Sequence, residues 1–72
     1  MEPLEIKIAL MRAGISQTEI ARRAGVSCAQ VHRVIGGEVS HNVRSTIAQA
    51  INRSVDEIWP DYYLGMQRAA NA

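Results

Sequence analysis

The chain has 72 residues, 47% hydrophobic and 21% charged, which leaves room for one hydrophobic core and is too apolar for a disordered polymer. Its one cysteine, Cys28, excludes an internal disulfide framework, and the absence of a long apolar run, with acids preceding the first apolar residues of MEPLEIKIAL, argues against a membrane span or secretory leader and for the cytoplasm. The formal net charge is only +1, but five arginines (Arg12, Arg22, Arg23, Arg33, Arg44) face two glutamates (Glu19, Glu38) between positions 12 and 44, a basic middle that suits a phosphate-facing surface and equally suits solvated helices.

Taken in chain order, the pattern predicts helices and no strands. Pro3 suits a first helical turn, and Ile6, Leu10 and Ala13, flanked by Leu4, Ile8 and Met11, recur at helical spacing until Gly14. Ser16 with Glu19 three residues later forms a capping pattern for a second helix over 17–24, which Gly25 ends. Ile20, Ala21 and Ala24 are its inward residues. Ser27 caps a third helix over 28–35, with Val31, Val34 and Ile35 inward, and the Gly36-Gly37 pair stops it. A polar loop through Glu38, Ser40, His41 and Asn42 follows, and then Val43, Ile47, Ala50 and Ile51 mark a fourth helix. Ser54 and Glu57 open a short fifth helix that Pro60 closes. The fold class is therefore all-α, a compact five-helix bundle over 1–60, with residues 61–72 a C-terminal tail suited to dimerisation or to remaining disordered. Trp59, Tyr62 and Tyr63 form an aromatic lid that fits either a core cap or a subunit interface.

The segment from Gln17 to Gly37 carries the functional signal. Two helices that cross steeply over a three- or four-residue turn need a small residue at their closest approach, a residue tolerant of positive φ in the turn, and an apolar lock. Ala21, Gly25 and the set Ile20, Ala24, Val26, Val31 and Val34 supply them in order.

With those residues in place, SQTEIARRAGVSCAQVHRVIGGEVS resembles the helix-turn-helix of the lambda repressor and Cro superfamily. The following TIAQAI and SVDEIW resemble the helix and turn that come next in that family, so the resemblance covers about residues 4–59. The ending DEIWPDYY is similar to the Ner-type regulators of Mu-like phages, although SQTEIA is nearer the general repressor pattern.

The resemblance implies a sequence-specific double-stranded DNA-binding transcriptional regulator, a repressor of phage or prophage type acting by operator occupancy. It implies that Cys28, Ala29, His32 and Arg33, with Gln30 beside them, face the major groove. Arg33 is the best base reader on chemical grounds, because a guanidinium donates two hydrogen bonds to guanine O6 and N7; contact with phosphate is its alternative role. Gln17, opening helix two, is assigned to phosphate, as are Arg22, Ser27, Asn42 and Arg44, with water-exposed surface roles as the alternative for Gln17 and Arg22. The small interface of one such module implies a homodimer on an operator, with Tyr62, Tyr63 and Leu64 as candidate contacts.

Other chemistries are poorly supplied. Cys28 and His32 lie one helical turn apart, but a structural zinc site needs about four ligands, and only His41 and distant acids remain. Nothing places a base and an orienting group beside Cys28 for nucleophilic catalysis, and Gly36-Gly37 lacks the lysine of a phosphate loop. No metal, cofactor, small-molecule ligand, membrane association or enzymatic activity is expected. A protein-interaction module, such as an antitoxin or anti-repressor on the same fold, is the alternative function.

Overall fold

The computed structural model describes residues 1–60, and the expectations for the tail, including those for Tyr62, Tyr63 and Leu64, lie outside the described residues. Five helices follow one another: α1 (Pro3–Arg12), α2 (Gln17–Ala24), α3 (Cys28–Ile35), α4 (His41–Ile51) and α5 (Val55–Ile58), with no strand among the described residues. The all-α expectation holds, and α2 and α3 have the bounds predicted by their caps.

Local chemistry explains each boundary. The Glu2 N–H donates to Glu5 Oε1 at 2.9 Å in front of α1, Ser16 Oγ accepts the Glu19 N–H at 3.1 Å in front of α2, and Ser27 Oγ accepts the Gln30 N–H at 3.2 Å in front of α3. At the other end, α1 to α4 close in one way: the N–H directly after a residue of positive φ (Gly14, Gly25, Gly37 or Asn52) reaches back to the carbonyl five positions earlier, Ile15 to Leu10, Val26 to Ala21, Glu38 to Arg33 and Arg53 to Ala48, each at 3.0 Å. This closure needs a left-handed residue between the two halves. Gly25 takes φ +72° there, and Asn52 fills the same place at φ 57° after α4.

Helix α4 begins earlier than its apolar spacing implies. Ser40 is its N-cap and accepts the Val43 N–H at 3.5 Å, so His41 and Asn42 belong to the first helical turn and not to the loop. Helix α5 also departs in detail: the Ser54 hydroxyl donates to Glu57 Oε1 at 3.0 Å and makes no cap bond to backbone.

The core draws one buried isoleucine from every helix: Ile6, Ile20, Ile35, Ile47 and Ile58. Val31, Val34 and Val43 fill the space between them, and Ala21, only 5% exposed, occupies the expected small position of α2. On α1 the inward face is narrower than its periodicity suggests. Ile6 and Leu10 are buried, whereas Ala13, Leu4, Ile8 and Met11 are exposed.

Among the described residues one charged side chain belongs to this interior. Arg44 is 2% exposed, its Nη2 donates to the Gly37 carbonyl at 3.2 Å, and its guanidinium lies 4.6 Å from the centre of the Trp59 ring. Trp59 caps the core at 9% exposure, with the Met1 amine donating to the neighbouring Ile58 carbonyl at 2.6 Å. Arg44 thus ties the loop after α3 to the end of α5 through a cation–π contact and a charge-assisted hydrogen bond.

Two substitutions test this core, both read by urea unfolding through the fluorescence of Trp59, the only tryptophan. Ile47→Val removes one buried methylene and should cost about 0.5–1.5 kcal/mol, lowering the midpoint at unchanged m. Arg44→Ala should cost more, about 2–4 kcal/mol, and shift the native Trp59 emission to longer wavelength; an unchanged midpoint would show that Arg44 does not support the core.

Candidate nucleic-acid interface

Helix α3 is sorted cleanly by its 3.6-residue period. Val31, Val34 and Ile35 are buried, while Cys28, Ala29, His32 and Arg33 are exposed and Gln30 is half-buried at the edge. The residues expected to read bases therefore share an open face, and the residues expected to lock the helix are inside. Helix α3 packs on α2, with Ala21 and Val31 both in the buried core, and this holds that face outward.

Two polar contacts fix the surroundings. Cys28 Sγ lies 3.6 Å from Thr18 Oγ1, linking the start of α3 to the first turn of α2. Asn42 Nδ2 donates to the Ala24 carbonyl at 2.7 Å, linking the start of α4 to the end of α2. The N-termini of α2 and α4 are thereby referenced to the helix-turn-helix, and their first N–H groups have no intrahelical acceptor and carry partial positive charge.

The residues assigned to phosphate meet different fates. Gln17 is half-buried at the first position of α2. The Ser27 oxygen is taken by the Gln30 N–H, but its own O–H remains a donor. Asn42 is exposed with its amide nitrogen already committed to Ala24, a tether that sequence spacing did not reveal; its backbone N–H remains in the first turn of α4. Arg44 lies just inside the start of α4, where its N–H donates to the Ser40 carbonyl at 2.9 Å, while its guanidinium is buried against Trp59 and donates to the Gly37 carbonyl.

Arg22 is exposed, and its Nε donates to Glu19 Oε2 at 2.9 Å while its Nη2 donates to Glu19 Oε1. Arg23 shares the same carboxylate at 3.4 Å. Arg33, on the outer face of α3, has its Nε at 3.3 and 3.5 Å from the two oxygens of Glu38. Each basic group on this surface therefore has an acidic neighbour, and the positive field is weaker than a count of arginines suggests.

The hydrogen bond from Arg22, set against an opposing desolvation and helped by the charges of Arg22 and Arg23, holds the Glu19 carboxyl below the ordinary glutamate value. A depressed carboxyl contributes its stabilisation above the ordinary glutamate value and loses it as pH falls through the lowered one. A carbon-detected NMR titration should accordingly place the Glu19 midpoint below the ordinary glutamate range, and Arg22→Ala should move it upward. An unmoved midpoint would mean that the ion pair does not persist in solution.

No group of three or more His, Cys, Asp or Glu side chains able to hold a metal occurs among the described residues. No helix among them is long and apolar enough to cross a membrane.

Comparison with known proteins adds one result. A family model described as winged helix-turn-helix DNA-binding matches residues 1–71. No curated protein and no solved structure matches the chain. The described residues include no strand, so the hairpin that the word winged denotes has no counterpart between α3 and α4, where the connection spans only residues 36–40. The match extends over α1 to α5, and the exposed face of α3, the glycine turn and the buried lock are the parts a DNA-reading helix pair requires. The chain belongs to the winged helix-turn-helix DNA-binding family.

Proposed function

We propose that the protein is a sequence-specific regulator of transcription that places α3 in the major groove of duplex DNA and represses by occupying an operator. The observation that carries this reading is the division of α3, whose inner residues are locked in the core while Cys28, Ala29, His32 and Arg33 stand free of it. The resemblance of residues 16–40 to the repressor and Cro helix-turn-helix supports the repressor form of the reading, and the similarity of DEIWPDYY to the Ner-type regulators supports a phage or prophage origin. The site of action is then the bacterial cytoplasm.

In this arrangement Arg33 reads a guanine, Ala29 meets a thymine methyl, and Cys28, Gln30 and His32 lie within reach of base edges or phosphate. Gln17, Ser27 and the first N–H groups of α2 and α4, including that of Asn42, position the protein on the backbone. Arg22 reaches phosphate by sharing Glu19 or exchanging it. Such contacts set register without carrying sequence information.

Two copies bind one operator, because a single module of this kind buries little surface; their half-sites lie about one helical turn apart, roughly 10 base pairs. Residues 1–60 form the DNA-binding unit, and residues 61–72 are available for pairing between copies.

Selection from a random duplex pool tests the central claim, which requires an enriched sequence with two-fold symmetry. On that duplex Arg33→Ala should cost about 1–3 kcal/mol and relax preference at one base pair, whereas Gln17→Ala should weaken all sequences about equally. Equal loss across all single-base variants for Arg33→Ala would make it a phosphate clamp instead.

Salt dependence gives an independent measure. With Arg44 withdrawn, the cations of the face are Arg22, Arg23 and Arg33, so the log–log slope should be about −3 per copy at −0.9 for each phosphate neutralised. A flat response would exclude a phosphate-facing surface. Sedimentation of the complex on the selected duplex should give two proteins per duplex, and a one-to-one complex on the full site would exclude the dimer.

A further inference from the structure

We propose that Glu38 is a specificity-determining positioning residue, which holds the Arg33 guanidinium with its two terminal nitrogens directed outward for a guanine. The inference rests on the reading of α3 as the base-contacting helix.

The position of Glu38 is imposed by the backbone. Helix α3 ends in a turn in which the Gly37 N–H donates to the Val34 carbonyl at 3.1 Å and the Glu38 N–H donates to the Arg33 carbonyl at 3.0 Å. Gly37 has φ +126°, a conformation that L side chains rarely adopt. The glycine pair therefore folds the chain back so that residue 38 lies against residue 33, five positions away. The carboxylate then meets the Arg33 Nε with both oxygens, at 3.3 and 3.5 Å.

The chemistry lies in which nitrogen is taken. Glu38 engages Nε alone, and Nη1 and Nη2 of Arg33 make no hydrogen bond among the described residues. Those two nitrogens can donate in parallel to O6 and N7 of one guanine. Glu19 treats Arg22 differently: it takes both Nε and Nη2, a side-on bidentate fork that occupies one of the two terminal nitrogens a guanine would need. An exposed arginine otherwise samples many rotamers and must be ordered when it binds. A carboxylate on Nε removes part of that cost in advance, and favours the one orientation that makes two bonds to guanine over the many that reach a phosphate.

Charge alone makes a different prediction. A glutamate on a DNA-facing surface repels phosphates, and its removal then strengthens binding to every sequence alike. Two variants separate the effects: Glu38→Ala removes charge and acceptor, and Glu38→Gln removes the charge but keeps an oxygen that can accept from Nε. Both leave the backbone N–H bond to Arg33 in place.

The probes are the duplex enriched by the wild-type protein from a random pool and its single-base-pair variants. At the base pair where Arg33→Ala relaxes preference, Glu38→Ala should reduce discrimination about tenfold, and Glu38→Gln should fall between it and the wild type. Preference at other positions should not change. Equal discrimination in all three proteins, with a uniform rise in affinity, would overturn the inference and leave Glu38 as a charge screen. Loss of preference at every position in Glu38→Ala would also overturn it, by assigning Glu38 to the fold. If the wild-type protein enriches no sequence, the base-reading role of α3 fails and the inference with it, a result distinct from enrichment with Glu38 silent.

Discussion

Helices α2 and α3 have eight residues each and α5 has four, lengths at which an isolated helix is marginal in water because nucleation costs more than the few hydrogen bonds return. The convergence of one isoleucine from each of the five helices makes them persist, since burial of these side chains is available only when all the helices are present. Isoleucine is branched at Cβ and has few rotamers in a helix, so it adds little disorder to that meeting point. Everything outward depends on it. The open face of α3 is the complement of Val31, Val34 and Ile35, and a helix that could roll about its axis would present a different set of residues.

The surface is electrostatically restrained. Glu19 and Glu38 stand among Arg22, Arg23 and Arg33, and among the described residues Arg44 is the arginine whose guanidinium is buried. A protein of net charge +1 with paired arginines has weak long-range attraction for DNA at large, so under the proposed function contacts that require a particular base sequence would contribute a larger share of binding. The same restraint bears on solubility, because exposed ion pairs keep both signs interspersed.

Much of this was legible in the residues. Helices α2 and α3 could be bounded because each starts at a serine cap and ends at a glycine, and the buried Val31, Val34 and Ile35 followed from spacing. What escaped had physical reasons. Ser40 caps α4 without a glutamate three residues on, and the polar His41 and Asn42 hid the first helical turn among loop-like neighbours. The burial of the Arg44 guanidinium is not apparent from its residue type; its spacing to Ile47 and Ala48, three and four residues on, is the available sign that it shares their face, and Trp59 is the partner that makes burial tolerable. The Asn42 and Glu38 contacts depend on how two turns fold back, which periodicity does not encode. The family match supports a helix-turn-helix DNA-binder and does not carry the repressor, Cro or Ner subtype, and the description of that family includes a wing that the described residues lack.

The hydrogen bond from Asn42 to the Ala24 carbonyl has a mechanical meaning as well. It fastens the first turn of α4 to the end of α2, while Cys28 and Thr18 fasten the start of α3 to α2, so the starts of α3 and α4 are both tied to α2. A frame tied in this way favours a duplex that adjusts to it. Under the DNA-reading function, flexible pyrimidine–purine steps between the contacted phosphates would be favoured even where no side chain touches a base. Part of the selectivity would then reside in the bending stiffness of the operator.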